Sequence, residues 1–274
     1  MTDTTPSRTE RDSRYAQARR EYRDRKRAEN PEPLRIYGLH AVAAALDNPD
    51  RRVHRLLATR NALQRLGTRR DGLEPEIVEP KVIDRLLGGD AVHQGIVLEV
   101  DPLPERGLTD LSGSDLVLVL DQVTDPHNVG AILRSAVAMG AGAVVMMSRH
   151  APGETMVLAK AASGALEHVP LVRVRNLAEA LDQLREQGFR TVGLDSEGDG
   201  DLAELIEGDA VALVLGAEGK GLRQRTRETV DVLARIDMPG PIRSLNVSNA
   251  AALSLYVTRR HLDARKRNSV KTGT

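Results

Sequence analysis

The 274-residue chain has no cysteine and no tryptophan. Without cysteine there is no disulfide framework, no thiolate metal site and no thiol nucleophile. Aromatic residues make up only 2%, namely Tyr15, Tyr22, Tyr37, Phe189 and Tyr256. A protein that stacks single-stranded bases on aromatic platforms needs more of them, close together. Charge of one sign is also missing: 39 Lys and Arg balance 39 Asp and Glu. That balance leaves local patches free to meet a polyanion. The longest uncharged apolar stretch, Ala136 to Met147, is 12 residues and contains glycines, whereas a membrane span needs roughly 18 or more. The N-terminus opens on polar and charged residues rather than a signal-like apolar run, so a soluble protein in the cytoplasm is expected.

What is present is enough apolar residue, 41%, for a sizeable core. Residues 1–33 are nearly free of aliphatic side chains and are expected to form a disordered basic tail. That tail has two readings, a solubilising extension and an accessory contact to a nucleic-acid backbone. Residues 34–101 alternate short strands and helices: a helix over 40–46, strands over 53–58, 76–78 and 95–100, and helices over 61–66 and 81–87. They read as a small α/β domain. Residues 102–113 contain proline and glycine and read as a linker.

Residues 114–264 change rhythm. Leu116–Leu120, Ala143–Met147, Val211–Leu215 and Leu233–Ile236 are apolar runs of the kind buried on both faces of a parallel sheet. Thr191–Leu194 reads as a further strand. Helical patterns fall over 129–139, 176–187 and 247–262. The expected fold is α/β, a mainly parallel sheet with helices on both faces. Residues 265–274 read as a second basic tail.

Ligands of such sheets bind beyond the carboxyl ends of the strands. Three loops there are rich in polar residues or glycine. The first runs from Asp121 through Asp125-Pro126-His127-Asn128 into a helix carrying Arg134. Asn128 reads either as that helix's N-cap or as a functional amide, and Arg134 as a solvated arginine or as one that meets a bound group. The second is Gly216-Ala217-Glu218-Gly219-Lys220-Gly221. Gly221 stands where a Walker loop needs Ser or Thr, so this is no Walker loop, and it has no dinucleotide-binding fingerprint either. The third is Met238 through Asn249, where Ser244, Asn246, Ser248 and Asn249 crowd ahead of a long helix that needs only one cap. None of the seven histidines stands four residues from another, so no metal site is expected. No nucleophile elbow is present.

Taken together, the three loops resemble the motifs of the SpoU (TrmH-type) RNA 2′-O-ribose methyltransferases of the SPOUT class. The stretches that carry the resemblance are Tyr37-Gly38-Leu39-His40-Ala41-Val42, Ala91-Val92-His93-Gln94-Gly95-Ile96, Asp125-Pro126-His127-Asn128 and Ser244-Leu245-Asn246-Val247-Ser248. It spans about residues 35–262 and looks closest to the 23S rRNA guanosine-2′-O-methyltransferase group.

The resemblance implies a catalytic sheet whose C-terminal segment threads a loop into a deep trefoil knot, and a homodimer with its active site near the interface. It implies S-adenosyl-L-methionine as methyl donor, no metal, and an RNA substrate, 23S rRNA or the assembling large ribosomal subunit. Residues 34–101 would be the RNA-binding domain. By position, Asn128, Arg134, Glu218, Ser244 and Asn246 match catalytic or polar motif positions. Gly216, Ile236 and Leu245 match donor-binding positions, with Ala217, Gly219, Met238 and Ser244 beside them. Arg51, Arg52, Arg69 and Arg70 are read either as RNA-backbone contacts or as solvated surface. Three other readings differ in substrate or class: tRNA as the target, a catalytically silent RNA-binding assembly factor, and a nucleotide-binding enzyme using the 216–221 loop.

Overall fold

The computed structural model describes residues 33–272 except 68, 69, 90, 112, 150, 242 and 243, and only the backbone of 269–272. The sequence readings of 1–32, Arg69, His150, Ile242 and Arg243 lie outside the described residues. Two sheets organise the rest.

The smaller sheet has four strands in the order β1 (Leu34–Tyr37), β4 (Ile96–Val100), β2 (Val53–Ala58), β3 (Glu76–Ile77). Strands β2 and β4 run antiparallel with Leu56 opposite Leu98, and β3 is a parallel edge strand. Helices α1 (Leu39–Asp47), α2 (Arg60–Leu66) and α3 (Pro80–Leu87) accompany them. The central strand β4 is buried along its whole length, and Leu57, Val97 and Ile83 form a core there.

The larger sheet has seven strands, all parallel, in the order β7 (Leu171–Val174), β6 (Ala143–Met147), β5 (Leu116–Asp121), β10 (Val211–Gly216), β8 (Arg190–Leu194), β11 (Val232–Arg235), β9 (Gly200–Asp201). Strand β5 has no exposed residue, as its unbroken apolar run predicts. Its odd-numbered residues Val117 and Val119 join Val145, Val214 and α6 (Leu177–Glu186) in one core layer. Helices α4 (Pro126–Ala138), α5 (Met156–Ala162) and α9 (Val247–Thr272) bury Ile132, Leu133, Leu158, Ala251 and Leu255. Helix α9 packs on both α4 and β10. Helices α7 (Leu202–Leu205) and α8 (Gln224–Thr229) are short connections.

Strand order sets the location of the site. The chain lays down β5, β6 and β7 in one direction, then returns and builds β8 beyond β10. Strands β5 and β10 are therefore neighbours, with Asp121 beside Gly216 at their carboxyl ends. That reversal opens the crevice in which α/β sheets bind ligands.

Some expectations need correction. Helix α9 continues to Thr272, past the expected end at Leu262, so residues 265–272 are helical rather than tail. The segment 102–113 contains a 3₁₀ turn, Leu108–Leu111, whose two leucines enter the larger core. Elements β1, α5, β7, β9, α7 and α8 are absent from the sequence reading. Each is two to seven residues long, too brief to show a period in the sequence.

Candidate active site

The first loop leaves β5 at Asp121, a fully buried carboxylate. Burying such a charge is costly unless it is hydrogen-bonded. Asp121 accepts from Arg223 N at 3.0 Å, Arg223 Nε at 2.7 Å and Thr226 Oγ1 at 2.7 Å. The first loop is thereby tied to the segment that follows the second. Helix α4 begins earlier than expected, with Pro126 in its first turn and Asp125 as N-cap, accepting from His127 N at 3.1 Å. Asn128 is therefore not the cap, and its amide is available for other contacts.

The second loop leaves β10 at Gly216 and folds straight back. Ala217 bridges to Gly221, and Gly221 N donates to Ala217 O at 2.9 Å. A Cβ on Gly216 would lie 2.1 Å from the carbonyl of Gly221, so only glycine fits while this backbone closes over it.

The third loop ends at Asn246, which caps α9. Its Oδ1 accepts from Ser248 N at 2.9 Å and Ser248 Oγ at 2.6 Å. Its Nδ2 donates to Asn128 Oδ1 at 3.1 Å and toward Glu218 Oε2 at 3.4 Å. One side chain thus joins all three loops, although 118 residues separate Asn246 from Asn128.

Beside this junction lies a cavity of about 420 Å³ between the ends of β8, β10 and β11. Gly216, Ala217, Gly219, Ile236, Met238, Ser244 and Leu245, all expected from the sequence as donor-binding residues, line it together with Glu218. Its size is typical of small-molecule sites. Arg134 is not drawn into the junction. It is exposed, its side chain makes no hydrogen bond or ion pair among the described residues, and it lies about 9 Å further along α4 than Asn128.

Among the cavity residues that sequence reasoning misses are Asp195 and Arg227, which pair at 2.5 Å between Oδ2 and Nη1. Asp195 follows the apolar run of β8 as Asp121 follows that of β5, and that strand-end acid is the available signal. Arg51 requires correction. It is neither an RNA contact nor solvated surface, because its side chain is fully buried. Arg52 is exposed as expected, near Asp101, and Arg70 donates to Arg51 O at 2.9 Å. Among the described residues no group of three or more His, Asp or Glu is placed to hold a metal.

With this geometry in place, the comparisons with known proteins decide the family. The SpoU rRNA Methylase family matches residues 115–256, and the family described as RNA 2′-O ribose methyltransferase substrate binding matches residues 35–106. The chain belongs to the SpoU methylase family. It is 40% identical to the 23S rRNA (guanosine-2′-O-)-methyltransferase RlmB of Vibrio vulnificus, over 81% of this chain and 94% of that one. It is 35% identical to the putative TrmH family tRNA/rRNA methyltransferase YacO of Bacillus subtilis, over 86% and 96%. Among solved structures it is similar to the SpoU methyltransferase AviRb of Streptomyces viridochromogenes in complex with AdoMet. There the TM-score is 0.71 at 26% identity, covering 86% of this chain and 92% of that one.

Proposed function

We propose that this protein methylates the 2′-oxygen of a guanosine ribose in 23S rRNA, using S-adenosylmethionine. The observation that carries the reading is the Asn246 junction, which joins Asn128 and Glu218 beside the cavity. The cavity fits the donor chemically. Glycines at 219 and 221 leave backbone bare for a purine edge, and Ile236, Met238 and Leu245 add apolar surface to the lining. Gly216, Ala217, Gly219, Ile236, Met238, Ser244 and Leu245 are the residues that hold it.

When bound, S-adenosylmethionine supplies an electrophilic methyl group to the attacking oxygen. The chain's own work is positioning and charge stabilisation. Asn128, Asn246, Glu218 and Ser244 orient the ribose. A planar guanidinium offers donors and no acceptor, so Arg134 acts through its charge and hydrogen bonds rather than as a base. It grips the adjacent phosphate and stabilises negative charge on the 2′-oxygen, whose proton leaves through water.

We assign RNA binding to residues 34–101, with 102–113 as linker and 114–264 as the catalytic domain; the two family matches support this division. We also propose a homodimer, with Arg134 working at the interface. Leu253 and Tyr256 support it, standing three residues apart on one face of α9 with 49% and 53% of their surface exposed. An rRNA substrate, free or within an assembling large subunit, supports a cytoplasmic location. No helix among the described residues is long and apolar enough to cross a membrane.

The test is methyl transfer from tritiated S-adenosylmethionine to separate pools of unmethylated 23S rRNA, 16S rRNA and tRNA. Label in 23S rRNA that resists alkaline cleavage at one guanosine is expected. Label confined to tRNA would keep the reaction and overturn the target. Arg134→Ala is expected to lower transfer at least about 100-fold while donor affinity stays unchanged. Equal loss of both would overturn the role of Arg134.

A further inference from the structure

Arg51 lies in the loop between α1 and β2 of the small sheet unit, yet its two carboxylate partners, Glu154 and Glu167, belong elsewhere. Its Nη2 and Nε donate to Glu167 Oε1 and Oε2 at 2.6 and 3.2 Å. Nη2 also lies 2.6 Å from Glu154 Oε1, and Nη1 donates to the carbonyl of Asp101 at 2.8 Å. Asn48, from the same loop, donates to Glu167 Oε2 at 2.8 Å. Glu154 Oε2 in turn accepts from Leu103 N at 2.9 Å. One buried guanidinium therefore gathers the small unit, the start of the linker and the region around α5.

Helix α5 is also the helix against which α4 packs. A Cβ on Gly130 of α4 would lie 2.4 Å from Ala161 Cβ, so the two helices meet at backbone distance. Helix α4 carries Asn128 and Arg134. On the same helix α5, Lys160 reaches the small unit, donating to Val92 O at 2.9 Å and lying 5.2 Å from the ring of Tyr37. Just beyond it, Gly164 closes against Ala44 of α1. The small unit is thus docked on the element that also supports the catalytic helix.

We infer that Arg51 is a positioning residue, a buried latch that sets the orientation of the RNA-binding unit relative to α4 and so presents the bound RNA to Asn128 and Arg134. The chemistry explains why an arginine stands there. Its planar fork meets Glu167 with two bonds, leaving a third nitrogen for the Asp101 carbonyl where the small unit ends, a pattern that lysine cannot reproduce. An RNA gripped by both units gains from their fixed spacing, because binding to the second becomes intramolecular. A released unit loses that gain without altering the cavity or the reacting groups. The inference rests on the proposed RNA-binding role of residues 34–101.

The experiment compares the full-length wild type with Arg51→Lys, Arg51→Met and the triple variant Arg51→Met/Glu154→Gln/Glu167→Gln. The triple variant removes the two carboxylates that a lone Arg51→Met leaves buried and unpaired, and so remains informative if the single variant does not fold. Small-angle X-ray scattering reads the orientation of the small unit, calorimetry reads donor affinity, and steady-state kinetics reads KM for 23S rRNA and kcat separately. The expected result for the triple variant is a larger radius of gyration, unchanged donor affinity and kcat within about twofold. KM for RNA should rise about tenfold, with Arg51→Lys falling between it and the wild type. An unchanged radius of gyration would overturn the latch. A released unit with unchanged KM, or loss of donor binding, would overturn the positioning role. A wild type that methylates no RNA would overturn the proposed function instead, and the scattering would still decide the latch.

Discussion

Two polar clusters hold this molecule together at a distance in sequence, and they are built differently. At the Asn246 junction the groups are two neutral amides and one carboxylate, with contacts of 3.1 and 3.4 Å. At Arg51 they are one cation and two carboxylates, with contacts down to 2.6 Å and no exposed surface on the arginine. Burial works against the charge on Arg51, yet the bond to Glu167 and the field of Glu154 outweigh it and raise its pKa. The difference fits the proposed reading, in which the junction exchanges its partners for a ligand and the Arg51 cluster keeps its own. Hydrogen bonds donated by a neutral amide cost little to trade for a ligand. A buried ion pair that loses one partner leaves a stranded charge.

Breaking the first cluster should damage chemistry first. Gly216→Val puts side chain where the Gly221 backbone lies, and donor binding measured by calorimetry is expected to fall at least about 100-fold. Asn246→Ala removes both the cap and the bridging amide. Transfer should drop about 100-fold while thermal unfolding reveals a loss of only about 1 kcal/mol, the ordinary worth of a cap. A stability loss several times larger would show that the junction is chiefly structural.

A third polar cluster sharpens the contrast from the structural side. Asp115, just before β5, receives Arg259 Nη1 and Nη2 of α9, each at 2.9 Å, with Lys266 Nζ at 2.7 Å. Burial opposes the charge on Asp115, but Arg259 and Lys266 prevail and hold its pKa below the ordinary 3.8. The sign follows: the stabilisation is present above the unfolded pKa and is lost as pH falls through the lower folded value. Asp115→Asn is expected to cost about 2 kcal/mol at neutral pH by denaturant unfolding. Its gap from the wild type should close as pH drops below 3.8. A gap that persists in acid would assign the loss to packing. The smallest effect belongs to Arg55 of β2, which pairs with Glu76 at the surface of the small sheet. Arg55→Gln should leave the melting temperature unchanged within about 1 °C, since exposed pairs contribute little.

Much of the larger sheet is legible in the sequence because its strands are continuous apolar runs. Ala143–Met147 has the bounds the sequence suggests, and β5 and β10 differ by one residue each. In the small unit Val53–Ala58 is equally clear. The short elements are not, and neither is the end of α9, where Arg, Lys and Asn continue a helix without an apolar stripe. The cavity residues are readable as glycine-rich or polar loops after buried strands. Asp195 and Arg227 are not, because an acid at a strand end gains meaning only beside its partner 32 residues away.

The sequence by itself determined the kind of element at most positions and the residue types carried by the three loops, because burial leaves a local period in the order of apolar and polar residues. Only the tertiary structure decided that β10 lies beside β5, that Asn128 answers to Asn246 rather than capping its own helix, and that Arg51 is enclosed rather than exposed. Each of those outcomes depends on groups about a hundred residues apart, and their adjacency is set by packing the whole chain rather than by any local pattern.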